Sequence, residues 1–395
     1  MDSLLEGIRV LDFTRVLAGP YASMILADLG AEVIKIELPG SGDEARGFGP
    51  FQNGESAYFT SVNRGKKSVT IDLHREEGQQ LACNLASHCD VLLENFRPGS
   101  MSRFNLGYQE LHARHPRLVY ASVSGFGQTG PYAQRPAYDV IIQAMGGLAS
   151  ITGAPGGEPV RVGSSIGDLS AALFSVIGIL AALTRAQKSG VGQQVDVSML
   201  DCQVALLENA ISRYYVTGEV PGPLGSRHPS ITPFQFFRAA DAYVVVAAGN
   251  DTLWRKLCES VGAPELTHDA RFASNALRTE NQAVLEPLLE AAFSRRAVAE
   301  WEEVLGEAGV PCGPIRTVQG VVEDPQVRAR EMIVELVHPT AGAQALPNSP
   351  LKFSDSPVEL REPAPLLGQH TSDVLGRLLE LSVEEQAALA AAGVT

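Results

Sequence analysis

A chain of 395 residues is too long for one small core, so two domains or one elaborated domain are expected. A formal net charge of −14 argues against general nucleic-acid binding, which needs a basic face, but leaves room for a local basic pocket that takes an anionic ligand. Hydrophobic residues at 45% and charged residues at 19% are ordinary for a packed globular protein.

The chain starts Met1-Asp2-Ser3-Leu4-Leu5-Glu6-Gly7, with no basic n-region and no apolar h-region, so no secretory leader is expected. Ile8 to Thr14 reads as a buried strand, Tyr21 to Leu29 as a helix and Glu32 to Glu37 as a second strand. Ser68 to Leu73 is a third strand, Glu76 to His88 a helix, Asp90 to Phe96 a fourth strand and Leu118 to Gly125 a fifth. This alternation predicts an α/β fold, a mainly parallel sheet wrapped by helices, with ligands beyond the carboxyl ends of the strands. The turn Thr14-Arg15-Val16-Leu17-Ala18-Gly19-Pro20 lacks GxGxxG, and no Walker-type loop is present, so no dinucleotide cofactor is supported.

A glycine-serine loop then runs Val162-Gly163-Ser164-Ser165-Ile166-Gly167 into Asp168, at the mouth of a helix that carries no charge from Leu169 to Leu183. The run predicts a mostly buried helix, and it is shorter than the roughly 20 residues that cross a bilayer, so no membrane contact is expected. Helix-terminal N–H groups should keep Asp168 ionised. The preceding glycines leave room for a bulky group to reach it. That combination suits a carboxylate nucleophile for an acyl group, while the same position also suits a plain N-cap.

A strand at Gln194 to Met199 and a helical stretch from Asp201 to Tyr215 complete the large domain, residues 1–215. Gly, Pro and Ser dominate 217–235, which places a linker at 216–240. A small domain follows at 241–315, with a strand at Ala242 to Ala248 and helices near 252–262, 280–294 and 297–308. Residues 316–395 return to the large domain, where Pro363 to Thr371 forms a stiff turn before a final amphipathic helix. Cys83, Cys89, Cys202, Cys258 and Cys312 show neither a CxxC pair nor metal-type spacing, so reduced thiols, no metal and a cytoplasmic location are expected.

These segments resemble the class III CoA-transferase family, which includes formyl-CoA transferase, carnitine CoA-transferase and α-methylacyl-CoA racemase. The resemblance rests on Gly7 to Asp12 with Ala18-Gly19-Pro20, Leu29 to Glu37, Asn63 to Ser68, Glu94 to Gly99, and Gly125 to Tyr132. It continues through Tyr138-Asp139, Gly167-Asp168-Leu169, Gly309 to Pro314 and Leu366 to Thr371. It implies a Rossmann-like large domain with a smaller α/β domain, in a homodimer of interlocked rings. It implies that Asp168 is the nucleophile and that coenzyme A is substrate and product, with no permanently bound cofactor. The partners implied are acyl-CoA and carboxylic acids, not nucleic acid or membrane.

The family pattern further implies that Val16, Asn95, Phe96, Arg103 and Tyr138 line the CoA pocket, with Lys66, Lys67 and Arg97 as further phosphate candidates. Asn95 also suits a cap on the turn before Pro98, and each basic residue also suits a solvated surface. Leu17 and Phe48 stand where formyl-CoA transferases carry glutamine and tryptophan, and no glycine-rich loop lies between Gly225 and Tyr243, which implies an acceptor larger than oxalate. Tyr138 stands where the racemases carry a histidine, so transfer is favoured over racemisation.

Gly225 to Phe234 resembles the branch that uses succinyl-CoA with C4 to C6 dicarboxylates. Arg15 and Arg46 are candidate clamps for the distal carboxylate and His228 a further contact, although Arg46 and His228 also suit ordinary surface roles. The alternatives are a 2-methylacyl-CoA racemase, a transferase for an aromatic or carnitine-like acid, and a catalytically silent CoA-binding scaffold.

Overall fold

The computed structural model describes residues 3–360 and 362–395; Met1 and Asp2, on which the reading of the chain's start partly rests, lie outside them. The chain divides into two compact units, one of residues 1–148, 161–215 and 326–395, the other of 149–160 and 216–325.

In the larger unit, β1 (Arg9–Asp12), α1 (Ala18–Asp28) and β2 (Glu32–Glu37) are followed by a small hairpin, β3 (Phe51–Gln52) and β4 (Glu55–Ser56). Then come α2 (Ala57–Val62), β5 (Lys66–Thr70), α3 (Glu76–Ala86), β6 (Val91–Glu94), α4 (Tyr108–Arg114) and β7 (Val119–Ser124). The short helices α5 (Asp139–Met145) and α6 (Leu148–Ile151), the latter clustering with the second unit from residue 149, precede α7 (Ile166–Ser189), β8 (Gln194–Ser198), α8 (Met199–Leu206) and α9 (Asn209–Thr217), whose last two residues also fall in the second unit. The six-stranded sheet has the order β5-β2-β1-β6-β7-β8 and every pairing is parallel. Apolar residues on both faces of its strands explain this. Val10, Val33, Val91, Val119 and Ala121 pack against α1 and α7, whereas Leu11, Ile34, Val69, Leu92 and Tyr120 pack against α3 and α4. After β2 and β5 are added on one side of β1, the chain crosses to β6 on the other. The topological switch point, where such sheets open a crevice, therefore lies between β1 and β6.

Helix α7 spans 24 residues, longer than the uncharged run read from the sequence, and is long and apolar enough to cross a membrane by length and composition only. One face, with Ala171, Ala172, Val176, Ile179 and Leu183, is in the sheet core. The other exposes Leu173, Phe174 and Ile177, the last at 62%. Absence of charge was a poor guide to burial here, because only every third or fourth residue of a helix shares a face.

In the second unit, β9 (Phe234–Arg238), β10 (Tyr243–Ala247) and β11 (Cys312–Pro314) form an antiparallel sheet in the order β11-β10-β9. Helices α10 (Asp251–Ser260), α11 (Asn275–Glu280), α12 (Gln282–Phe293) and α13 (Val298–Ala308) accompany it. Phe237, Val244, Trp254, Phe293 and Trp301 centre its core. Strand β9 lies inside the stretch expected to be linker. It buries Gln235 and Phe237 alternately, a period-2 pattern obscured by the neighbouring glycines and prolines. Residues 149–160 also cluster with this unit, and the return begins at Gln326 rather than near 316. The return holds a hairpin, β12 (Ile333–His338) with β13 (Gly342–Pro347), and the helices α16 and α17, after the short α14 (Val318–Glu323) and α15 (Pro325–Ala329). Helix α16 (Thr371–Leu379) docks beside the edge strand β5, where His370 N–H donates to the Ser68 carbonyl and Thr70 N–H to Thr371 Oγ1. Helix α17 (Val383–Ala391) closes the chain with a capping box on Ser382 and Glu385.

Candidate active site

The β1 turn is built on a buried charge network. Asp12 accepts Thr14 N–H at 2.8 Å and the hydroxyls of Thr14 and Ser23 at 2.5 and 2.6 Å. Lys35 Nζ donates to the Thr14 carbonyl at 2.7 Å and pairs with Asp43 at 2.8 Å, both side chains fully enclosed. Asp43 in turn accepts the Val16 amide at 3.1 Å. Burial pushes the carboxyls of Asp12 and Asp43 up, but the lysines outweigh it and hold both below the ordinary value. The network forces Val16 to φ 65°, a left-handed conformation costly for a β-branched residue. Such strain persists only where the surroundings impose it, and here it shapes the rim of the crevice.

Asn95, in the β6 turn, spends both ends of its amide on the Arg15 backbone. The Arg15 guanidinium lies 4.7 Å from the Phe96 ring centre and only 3.6 Å from Glu44, with 44% of its side chain exposed. Phe96 and Arg103 line a cavity of about 260 Å³ with Leu38, Leu73, His74 and Phe104. Arg103 donates to Ser100 Oγ at 3.1 Å, and no carboxylate pairs with it among the described residues. On the other side of the Asn95 turn, a cavity of about 180 Å³ is lined by Asn95, Arg97, Ser124, Arg135 and Tyr138. Tyr138, the N-cap residue of α5, is 73% exposed.

Asp168 is the third residue of α7, not its cap; Ser165 holds that place and makes no side-chain cap bond. The half-buried Asp168 carboxylate accepts no hydrogen bond among the described residues. Burial first, and then the charge of Asp139, push its pKa up to about 7. The expectation that helix-terminal N–H groups keep it ionised is thereby corrected: burial and the neighbouring Asp139 charge outweigh the helix dipole. Tyr58 was missed by sequence reasoning. Burial first, and then the charges of Asp168, Asp43 and Asp139, raise its phenol. Its ring meets the exposed Phe48 edge-on at 5.6 Å.

Three expected contacts are committed elsewhere. Arg46 grips Glu37 through two bonds of 2.7 and 2.8 Å, donates to the Pro365 carbonyl and lies over the Phe59 ring, so its guanidinium is not free to clamp a substrate. Lys66 is enclosed among Asp12, Asn63 and the Pro20 carbonyl, and burial lowers its ammonium to about 8; it is neither a phosphate ligand nor a surface lysine. Lys67 pairs with Glu32 at 2.8 Å. Leu17 is the half-buried residue before α1. His228 belongs to the second unit, where its Nδ1 accepts Ser230 N–H at 3.1 Å and its ring lies 5.4 Å from that of Phe234. Arg97 is exposed, with no carboxylate partner among the described residues.

The model of a family described as CoA-transferase family III matches residues 5–371. Succinyl-CoA:glutarate CoA-transferase of Mus musculus is 41% identical over 376 residues, 95% of this chain and 86% of that protein. Acetyl-CoA:oxalate CoA-transferase of Acetobacter aceti is 44% identical over 367 residues, 92% of this chain and 93% of that protein. Among solved structures, a CAIB/BAIF family protein from Brucella suis is similar with a TM-score of 0.84 at 39% identity, covering 96% of this chain and 100% of that one.

Proposed function

The chain belongs to CoA-transferase family III and is an enzyme of that class, and from this premise we propose that it moves CoA from succinyl-CoA to a dicarboxylic acid through covalent intermediates on Asp168. The observation that carries the reading is the Asp168 carboxylate itself, half-buried in the first turn of α7 and accepting no hydrogen bond among the described residues.

In the proposed sequence, a carboxylate oxygen of Asp168 attacks the thioester carbonyl, the C–S bond breaks and CoA leaves as thiolate. The thiolate attacks the Asp168 carbonyl of the mixed anhydride, giving an aspartyl-CoA thioester and releasing the donor acid. The acceptor carboxylate displaces the thiolate to form a second anhydride, and the thiolate returns to the acceptor's carbonyl. Each step exchanges one activated acyl bond for another, so the site's task is to hold the acyl group away from water. The cavity at Phe96, His74 and Arg103 suits an adenine with its 3′-phosphate, and Arg97 and Arg135 suit the diphosphate.

With Arg46 engaged, the clamp for a distal carboxylate falls to Arg15, whose only ion pair among the described residues is long and exposed. The glutarate relative supports a C4 to C6 acceptor. The oxalate relative, at 44% identity, removes the force of the Leu17 and Phe48 comparison, which therefore does not exclude a two-carbon acid. A homodimer belongs to the same reading: Leu173, Phe174 and Ile177 on α7 form an exposed apolar stripe of the kind that a second subunit covers.

The test is a mass-spectrometric readout of CoA esters after mixing the protein with succinyl-CoA and a pool of dicarboxylic, aromatic and carnitine-like acids. A new dicarboxylyl-CoA that Asp168→Ala does not make supports the proposal. Transfer only to other acids overturns the acceptor class, and turnover by Asp168→Ala overturns the nucleophile.

A further inference from the structure

The turn into α7 is held from the side by α5. Asp139, the first residue of α5, accepts the Gly167 N–H on Oδ1 at 2.8 Å and the Gln143 Nε2–H on Oδ2 at 2.8 Å. Gln143, fully buried, accepts the Val162 N–H on Oε1 at 2.8 Å, and its Nε2 lies 3.4 Å from the Ser164 carbonyl. Asp139 is 7% exposed. A Cβ on Gly167 would sit 2.9 Å from Asp139 Oδ1, so the close approach requires glycine there.

The amide that Asp139 takes belongs to the first turn of α7. A free helix N-terminus offers such donors to any nearby negative charge. Gly167 gives its donor to Asp139, and Asp168, one residue on, receives none. We propose that Asp139 is a positioning residue for the nucleophile: by occupying the Gly167 amide and, through Gln143, tethering Val162, it fixes the turn and leaves the Asp168 carboxylate undonated and reactive toward a thioester. This rests on the reading of Asp168 as nucleophile.

The electrostatics agree. Beside burial, Asp139 is the charge that raises Asp168. The charges of both aspartates act on Tyr58 on α2, and Arg161 approaches Asp139 Oδ2 at 3.5 Å with half its side chain exposed. The other elements packed on α7 carry Tyr21 and Asp28 (α1), Tyr120 (β7), Asp196 (β8), and Asp201 and Cys202 (α8), and none of these acts on Asp168. A more basic carboxylate is the stronger nucleophile once ionised, and it is progressively lost to protonation as pH falls through 7.

Two variants separate charge from tether. Asp139→Asn keeps an acceptor for Gly167 but removes the charge and sets an NH2 against Gln143 Nε2, losing charge and tether together, whereas Gln143→Ala keeps the charge and cuts the tether alone. For Asp139→Asn the acid limb of kcat/KM moves down by about one pH unit, a tenfold change in ionised fraction below the midpoint, and the plateau rate falls. For Gln143→Ala the limb stays in place, while the amides of Val162 and Gly167 exchange faster with solvent and KM rises. Wild-type kinetics and limb position in Asp139→Asn would overturn the proposal. So would an unprotected Gly167 amide in the wild-type protein, a measurement that needs no variant to fold. Asp168→Ala runs alongside: if it still transfers CoA, the nucleophile reading fails. If it is inactive while Asp139→Asn behaves as wild type, only the role of Asp139 fails.

Discussion

Asn95 holds the Arg15 peptide from both sides: its Nδ2 donates to the Arg15 carbonyl, and its Oδ1 accepts the Arg15 N–H, each at 2.8 Å. The two residues follow β6 and β1, so the pair closes the sheet's switch point and fixes the backbone next to the strained Val16. Asn95 thus shapes the crevice, with both amide ends already used.

Asn95→Ala therefore acts through the β1 turn. Losing both bonds costs about 1–3 kcal/mol at the crevice, roughly a tenfold effect or more on kcat/KM for the acyl-CoA donor. Asn95→Asp, which keeps the acceptor alone, falls between. Steady-state kinetics with varied donor reads both.

Arg103→Ala tests the phosphate assignment. One charge-assisted bond is worth about 1.5–3 kcal/mol, so CoA affinity measured by calorimetry falls tenfold or more. Wild type distinguishes CoA from 3′-dephospho-CoA, and the variant does not.

Arg15→Ala separates acceptor from donor. KM for glutarate rises while CoA affinity holds, and monocarboxylic acids lose nothing. An equal loss for mono- and dicarboxylates would move the clamp elsewhere.

Arg46→Ala leaves Glu37 buried and loses its two guanidinium bonds, a loss of about 3–5 kcal/mol. Thermal unfolding shows it as a clear drop in Tm. Burial pushes Glu37 up, but Arg46 and Lys35 outweigh it and hold its folded-state pKa below the ordinary 4.5. Its contribution is then fully present above about pH 4.5 and is lost as pH falls through the folded value. Denaturation titrations therefore differ between wild type and variant at pH 7 and converge as pH falls through that folded value.

The parallel sheet was legible because its strands are short apolar runs separated by helical periods, and Glu32–Glu37 falls at the residues the sequence marks. Strand β9 and the β12–β13 hairpin were not, since half-exposed alternation among glycines and prolines carries little hydrophobic signal. Asp168 stood out by its place at a helix mouth, but its electrostatic state did not. That state depends on Asp139, whose approach is set by how α5 packs on α7. Lys66 and Arg46 show the same limit from the other side: a cation in a motif reads alike whether it meets a phosphate or a buried carboxylate. His74 follows strand β5 on the carboxyl-end side of the sheet, where ligands were expected, while nothing local distinguishes Tyr58.

The central claim is that Asp168 carries the acyl group, and oxygen isotope transfer tests it most directly. In the proposed steps the bridging oxygen of the second anhydride comes from the acceptor and remains on the Asp168 carboxylate when the thiolate departs with the acyl group. After turnover with acceptor acid labelled with oxygen-18 in its carboxylates, the peptide containing Asp168 gains heavy oxygen, and no other peptide does. Product CoA ester formed with an unlabelled Asp168 peptide would contradict the account.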